Sequence, residues 1–212
     1  SRRQRQMCIR DSMDVKSQVK DIEIRKVDGV DRNISIKAAW KLMRDIGVVT
    51  LPITRDNKLE GLITIADIAT SYMDVYDNRV LATARTQYRN IVETMDGELL
   101  TGNEHGYFVK GKVVVASGDD EVMKEYIEED DLVILANRPE SQRCALELNA
   151  SCIVVCTGTE VSEEILAMAK ERDCVVIRTP FDSFTAARLI NQSMPIKYFM
   201  KKDNLVTFEL ED

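Results

Sequence analysis

Two side chains of complementary chemistry, Thr64 and Asp67, stand three residues apart after an apolar segment. A threonine hydroxyl accepts hydrogen bonds from the free N–H groups at a helix start, so Thr64 predicts a helix from about Ile65 to Met73. Residues three apart are neighbours in the first turn, which places the Asp67 carboxylate beside Thr64. The hydroxyl and the N–H groups suit a phosphate, and the carboxylate suits a pair of ribose hydroxyls. The pair predicts either a nucleotide contact or a simple helix cap with a favourable first-turn charge.

The residues before this pair predict the strands that position it. Leu51, Pro52 and Ile53 form a short apolar strand, and a polar turn follows at residues 55–58. A second strand is predicted at Leu59–Ile63, because this segment is rich in leucine and β-branched residues. Thr64 is therefore expected where a strand ends and a helix begins.

An amphipathic helix is predicted upstream of these strands. Ser35 caps it, Gly47 ends it, and its apolar side chains share one face. These side chains are Ile36, Ala39, Trp40 and Met43. Trp40 is expected in the core rather than stacked on a ligand. With the segment before it, the order is β-α-β-β-α over about sixty residues, which is too few for a comfortable domain alone.

The run Gly-Leu-Ile-Thr-Ile-Ala-Asp at 61–67, preceded by Leu-Pro-Ile and a polar hairpin, resembles the second half of a CBS domain. CBS domains sense adenosine-containing ligands, and the matching threonine and aspartate of that family contact phosphate and ribose. The resemblance implies these roles for Thr64 and Asp67. It also implies that the backbone of Leu51, Pro52 and Ile53 lines the base pocket. CBS modules occur in pairs, so a second half is expected.

The pattern changes beyond Met73. Apolar residues between 81 and 95 recur at helical spacing, which predicts one amphipathic helix ended by Asp96 and Gly97. Four apolar strands follow, at Val113–Ala116, Leu132–Ala136, Ile153–Val155 and Val175–Ile177. Helices are predicted after each of them, at Asp120–Glu128, Glu140–Leu148, Glu163–Lys170 and Phe184–Asn191. This alternation predicts an α/β fold with a parallel sheet covered on both faces.

Three segments of this second region resemble a DRTGG domain: Leu135–Arg138, the turn at Thr157 and Gly158, and the run Thr179–Ile190. The resemblance covers residues 78–193 and implies a DRTGG-type parallel-sheet α/β domain that pairs into a homodimer. The signature aspartate of that family is Asn137 here, and its second glycine is Thr159. These departures argue against an anion site at this turn, where plain turn chemistry is the other interpretation.

The last nineteen residues, 194–212, resemble the opening of a second CBS domain, cut short before its helices. Lys202 and Asn204 are expected to add nucleotide contacts from this half. The predicted organisation is a first CBS domain at 13–77, a DRTGG domain at 78–193 and the truncated CBS domain at 194–212. Residues 1–12 have no periodicity and look non-native, so they are excluded from the fold.

The order CBS, DRTGG, CBS resembles the regulatory region of family II, manganese-dependent inorganic pyrophosphatases. The resemblance implies that AMP, ADP, ATP or diadenosine polyphosphates bind between the CBS halves and control an attached catalytic domain. Weak or no binding is expected where half of the cleft is missing. Two other interpretations stay open: an oligomerisation or interaction module without a ligand, and a fragment of an acyl-phosphate transferase with a DRTGG-like domain.

Composition limits the chemistry of the chain itself. One histidine, His105, cannot supply the histidine and aspartate cluster that holds two manganese ions in such a pyrophosphatase. We therefore expect a fragment that is not an enzyme and has no cofactor of its own, with manganese implied only for the missing catalytic domain. The acidic run Glu128–Asp131 is interpreted as a solvated helix end.

The charge and cysteine content bound the partners and the compartment. A formal charge of -7 argues against nucleic acid and anionic membranes as partners, because both need basic surface. No apolar run is long enough for a membrane span, and no segment has the layout of a secretory signal. Five cysteines fit no zinc or disulfide framework, which favours a reduced, cytoplasmic protein.

Overall fold

The first structural unit of the computed structural model, which describes residues 26–200, is the predicted CBS half. Its elements are β1 (Val30–Asp31), α1 (Ile36–Ile46), β2 (Thr50–Arg55), β3 (Lys58–Thr64) and α2 (Ile65–Met73). Strand β1 runs parallel to β2, and β2 runs antiparallel to β3. The β-α-β-β-α order is confirmed, and α2 has the predicted bounds.

Helix α1 shows why its sequence predicted it well. The Ser35 side chain accepts from the Ala38 N–H at its start, and Gly47 adopts a left-handed conformation at its end. Ile36 and Met43 are buried, as expected. The expectation that Trp40 lies in the core is wrong: its side chain is 43% exposed, and the Arg44 guanidinium lies 4.9 Å from its ring centroid.

The second unit contains a five-stranded sheet in the order β5-β10-β9-β8-β7. Its strands are β5 (Glu98–Thr101), β7 (Val113–Val115), β8 (Leu132–Leu135), β9 (Cys152–Val155) and β10 (Val175–Arg178). A separate two-stranded antiparallel sheet pairs β4 (Thr86–Gln87) with β6 (Tyr107–Phe108). Its helices are α3 (Val80–Thr83), α4 (Tyr88–Thr94), α5 (Asp120–Tyr126), α6 (Pro139–Glu147), α7 (Glu163–Glu171) and α8 (Ser183–Leu189). The predicted parallel sheet is confirmed for β7 to β10, and β5 adds an antiparallel edge.

One predicted element is broken. The helix expected from residue 81 to 95 is divided into α3 and α4, because Arg85 takes a left-handed φ of 52° and the next two residues form β4. Thr86 pairs with Phe108, and Gln87 pairs with Tyr107. Helical spacing of apolar residues cannot reveal this interruption, because β6, the strand that pairs with β4, lies twenty residues further along the chain.

The sheet is buried on both faces. On one face Val133 and Ile153 pack with α5, α6 and α7 in a closed core. On the other face Ile134 and Val154 join the core of the CBS half, which includes Leu51. The two predicted units therefore share one continuous apolar core.

The segment after α8 ties the two units together. Ser35 and Pro195 form an isolated antiparallel bridge, and the Ile36 N–H donates to the Met194 carbonyl at 3.0 Å. From the second unit, the buried Asn90 amide donates to the carbonyls of Asn33 at 2.8 Å and Ser193 at 3.1 Å. Three stretches of chain thus meet at one junction. None of the helices between residues 26 and 200 has the length and apolar character to span a membrane.

Candidate functional site

Thr64 and Asp67 lie together at the start of α2, as the sequence predicted. The Asp67 N–H donates to Thr64 Oγ1 at 3.2 Å, and the Thr64 N–H donates to Asp67 Oδ2 at 2.8 Å. The Thr64 hydroxyl also donates to Asp67 Oδ2 at 2.7 Å. This reciprocal arrangement is a capping box. The cap interpretation is confirmed, and the nucleotide role stays a prediction.

The strands hold this pair at one end of the small sheet. Thr50 pairs with Thr64, and the Ile65 N–H donates to the Val49 carbonyl at 2.9 Å. Asp67 is 8% exposed, whereas Val49 and Ile65 are exposed apolar side chains beside it. A buried carboxylate therefore lies next to exposed apolar side chains at this end of the sheet.

The base-lining prediction concerned the backbone of Leu51, Pro52 and Ile53. Leu51 and Ile53 are fully buried and point into the core, because side chains alternate along a strand. Pro52 is partly exposed on the opposite face. Contacts from these residues to a base would use the backbone and Pro52, and this role stays a prediction. Lys202 and Asn204 lie outside the described residues.

A cavity that sequence reasoning missed lies at the other end of α2. It has a volume of about 100 Å³ and is lined by Ser71, Tyr72, Asp74 and Tyr76 of the CBS half and by Arg188 and Asn191 of the second unit. The Tyr76 hydroxyl is buried there without a hydrogen-bond partner among the described residues. Burial and the Asp74 charge raise the pKa of this hydroxyl. Helix α2 therefore begins at the Thr64–Asp67 pair and ends beside a cavity that the second unit also lines.

The turn after β9 has the geometry of plain turn chemistry. The Thr157 N–H donates to the Phe181 carbonyl at 2.7 Å, and the Gly158 N–H donates to the Thr179 carbonyl at 2.8 Å. The hydroxyls of Thr157 and Thr159 lie 2.9 Å apart. The N–H groups that would bind an anion are used within the fold.

The histidine and the buried cysteines of the described residues lie outside any metal-ligand cluster. Residues 26–200 contain no cluster of three His, Cys, Asp or Glu side chains able to hold a metal ion. His105 is exposed, and its Nε2 lies 3.4 Å from Glu104. Burial raises the pKa of the Cys152 thiol, and it raises that of Cys174 to about 12, which opposes thiolate chemistry.

The interpretation of Glu128–Asp131 as a solvated helix end is wrong for one residue. Asp131 is fully buried, and its carboxylate accepts from the N–H groups of Lys112 and Glu128, each at 2.9 Å. These bonds fix the turn between α5 and β8 to the start of β7. Sequence alone gave no signal of this, because the run of four acidic residues resembles an exposed surface.

Comparison with known proteins agrees with this architecture. Residues 19–74 match the model of the CBS domain, and residues 90–193 match that of the DRTGG domain. The chain is 40% identical over 199 residues to the cobalt-dependent inorganic pyrophosphatase of Clostridium perfringens, covering 93% of this chain and 36% of that protein. It is 29% identical over 184 residues to a probable manganese-dependent inorganic pyrophosphatase of Thermotoga maritima, covering 87% and 34%.

A solved structure extends the match to three dimensions. It shows the CBS and DRTGG domains of the regulatory region of the Clostridium perfringens pyrophosphatase, complexed with its activator, diadenosine tetraphosphate. Similarity to it covers 90% of this chain and 84% of that one, with a TM-score of 0.84 and 40% identity. The chain belongs to the family of CBS–DRTGG regulatory regions. In particular, it is homologous to the regulatory region of that pyrophosphatase, and it spans about a third of the length of the curated relatives it matches.

Proposed function

We propose that this chain is the adenine-nucleotide-binding regulatory region of an inorganic pyrophosphatase. The observation that carries the proposal is the capping box of Thr64 and Asp67 at one end of the CBS sheet, in a fold whose 40% identical relative binds diadenosine tetraphosphate. AMP, ADP, ATP and diadenosine polyphosphates are the proposed ligands. The attached catalytic domain is their proposed target.

The proposed contacts use both members of the capping box. The Thr64 hydroxyl is proposed to donate to phosphate and the Asp67 carboxylate to accept from ribose hydroxyls, so that each exchanges a hydrogen bond of the capping box for one to the ligand. The backbone of Leu51–Ile53 lines the base pocket. Lys202 and Asn204 contribute from the second CBS segment. A ligand regulates only if it binds two arrangements of the region with different affinity.

The region itself is proposed to be non-catalytic and to carry no metal. Its relatives are named as cobalt- or manganese-dependent pyrophosphatases, so the divalent metal is assigned to the catalytic domain, with manganese as the proposed ion. The four buried free thiols in the described part of the chain support a reducing, cytoplasmic location.

Calorimetry with diadenosine tetraphosphate and AMP tests the nucleotide site in the full-length protein that carries this region. Asp67→Ala removes the acceptor for ribose hydroxyls, and we expect affinity to fall roughly tenfold or more. The matched control is Asp182→Ala, which removes a carboxylate that accepts from the Thr185 N–H at the start of α8, away from the CBS sheet. Equal affinity in wild type and Asp67→Ala would contradict the site.

A second candidate function is a homodimeric interaction module without a ligand. It is favoured by a run of exposed apolar side chains at the end of α2, where Tyr72 and Met73 are exposed and Val75 is 100% exposed. Such residues on a monomer mark a contact surface. We propose that the region is a homodimer in either case. If neither nucleotide gives a heat of binding, the interaction module without a ligand is the function that remains.

A further inference from the structure

Two side chains of opposite charge line the cavity at the end of α2. Asp74 directly follows α2 in the CBS half, and Arg188 lies in the last turn of α8 in the second unit. They form no ion pair with each other or with any other residue in the described part of the chain. The Arg188 guanidinium lies 5.8 Å from the centroid of the Phe184 ring. The cavity therefore has a negative and a positive side, each without a counter-charge from the described residues.

The negative side suits a cation. The last turn of α2 contains no basic side chain, so the partial negative charge of the helix end adds to the Asp74 carboxylate. The Tyr76 hydroxyl is buried beside it and has no hydrogen-bond partner among residues 26–200, although the Asp74 charge is close enough to raise its pKa after burial has done so. An ammonium between these two groups would supply the missing counter-charge of Asp74 and a donor to the Tyr76 oxygen.

The positive side suits a carboxylate. A guanidinium such as that of Arg188 donates two parallel hydrogen bonds to the two oxygens of a carboxylate. Asn191 belongs to the short 3₁₀ helix Ile190–Ser193 that follows α8, and it lines the same cavity with a side-chain amide that can donate to the same group. This side of the cavity comes entirely from the second unit.

The size and the floor of the cavity limit the ligand further. Ile36 and Met194 are buried apolar residues that line it, so an apolar group of a ligand can contact them. The volume is about 100 Å³. One water-sized group needs about 10–15 Å³, so the cavity has room for only several such groups. A matching ligand is small, has one ammonium and one carboxylate, and has a short apolar part.

We infer that this cavity binds a small free α-amino acid, with its ammonium between Asp74 and Tyr76 and its carboxylate on Arg188. The bound amino acid would link the end of α2 to the end of α8, and thus the CBS half to the second unit. The inference does not depend on the proposed function. The proposed nucleotide site lies at the start of α2, and the nine residues of this helix span about 13 Å.

Titration calorimetry of the 212-residue chain with L-alanine tests the inference. We expect one L-alanine to bind per chain. Propionate lacks the ammonium and ethylamine lacks the carboxylate, so each should bind roughly tenfold more weakly or worse, because each loses a charge-assisted hydrogen bond. No heat of binding at millimolar L-alanine would overturn the inference, and so would an affinity for propionate or ethylamine equal to that for L-alanine.

Substitution of the two charged residues assigns the binding to this cavity. Asp74→Asn and Arg188→Gln should each weaken L-alanine binding roughly tenfold or more, and Asp74→Asn should bind L-alanine no more tightly than propionate. Both side chains are exposed, so we expect both variants to fold. The matched controls are Asp173→Asn, after α7, and Arg143→Gln, on α6, which remove the same charges elsewhere and should leave L-alanine binding unchanged.

One further variant separates this cavity from the proposed nucleotide site. Asp67→Asn removes the carboxylate at the start of α2 while keeping its size, and it should leave the affinity for L-alanine unchanged. The inference is overturned by wild-type affinity in Asp74→Asn or Arg188→Gln, by an equal loss in either matched control, or by loss of L-alanine binding in Asp67→Asn. None of these outcomes bears on nucleotide binding, which is measured separately.

Discussion

At the scale of single residues, Thr64 and Asp67 combine a structural and a proposed recognition role in the same atoms. The Thr64 hydroxyl accepts from the Asp67 N–H and donates to its carboxylate. A bound phosphate or ribose would compete for the same groups. Under the proposed function, ligand binding exchanges these hydrogen bonds of the cap for bonds to the nucleotide.

The structural part of this role can be measured without any ligand. Thr64→Ala removes the cap of α2 and is expected to lower the free energy of unfolding by about 1 kcal/mol. Thr64→Ser keeps the hydroxyl and should lie close to wild type. Urea denaturation followed by circular dichroism measures both. A Thr64→Ser variant as destabilised as Thr64→Ala would assign the effect to the lost methyl group instead.

At the scale of elements, local signals predicted those parts of the fold that local chemistry determines. Ser35 and Thr64 were recognised as helix starts, and each side chain accepts a backbone N–H bond in the structure. The buried strands β8 and β9 were equally clear, because both are continuous apolar runs. Of the candidate site, the Thr64–Asp67 pair was predictable for the same reason, since it is a local motif.

What the sequence did not reveal depends on distant pairing. Strand β5 forms only against β10, which lies more than seventy residues further along the chain. The small sheet of β4 and β6 consists of two-residue strands, which are too short for any periodic signal. The cavity at the end of α2 brings together residues more than a hundred positions apart in the sequence. None of these features has a motif in the linear chain.

The small sheet of β4 and β6 is expected to stabilise the fold through its buried aromatic residue. Phe108 on β6 is 1% exposed and belongs to the core shared with the CBS half. Phe108→Ala should lower the free energy of unfolding by about 3–5 kcal/mol, through lost transfer energy and the cavity left behind. The matched control is Phe184→Ala, since that side chain is 72% exposed. Equilibrium denaturation compares the stabilities of the two variants. Similarly small losses of stability in both would show that the sheet of β4 and β6 is only loosely packed.

At the scale of the whole molecule, the two domain types do not form separate bodies. Buried residues run without a break from Leu51 and Ile63 of the CBS half to Ile134 and Val154 of the large sheet. The Asn90 amide adds buried hydrogen bonds across the same boundary. A change at the CBS half is therefore transmitted through packed side chains rather than through a flexible linker.

Continuous packing predicts that both units unfold together. Trp40 is the single tryptophan of the chain and lies on α1, so its fluorescence reports on the CBS half. Far-ultraviolet circular dichroism reports mainly on the helices of the second unit. The two signals should follow the same urea transition with one midpoint. A tryptophan transition at clearly lower urea would mean that the CBS half unfolds alone.

An aromatic contact between Tyr76 and Phe199 bears on how this arrangement of domains arose. Tyr76 leads out of the CBS half and Phe199 leads back to it, and their ring centroids lie 6.4 Å apart in an edge-on arrangement. The segment between them, which includes the DRTGG match, therefore begins and ends at neighbouring points. A domain with adjacent ends can be gained by a gene without displacing either flank. A chain that carries such an insertion keeps the spacing of its two flanks, and hence its own architecture.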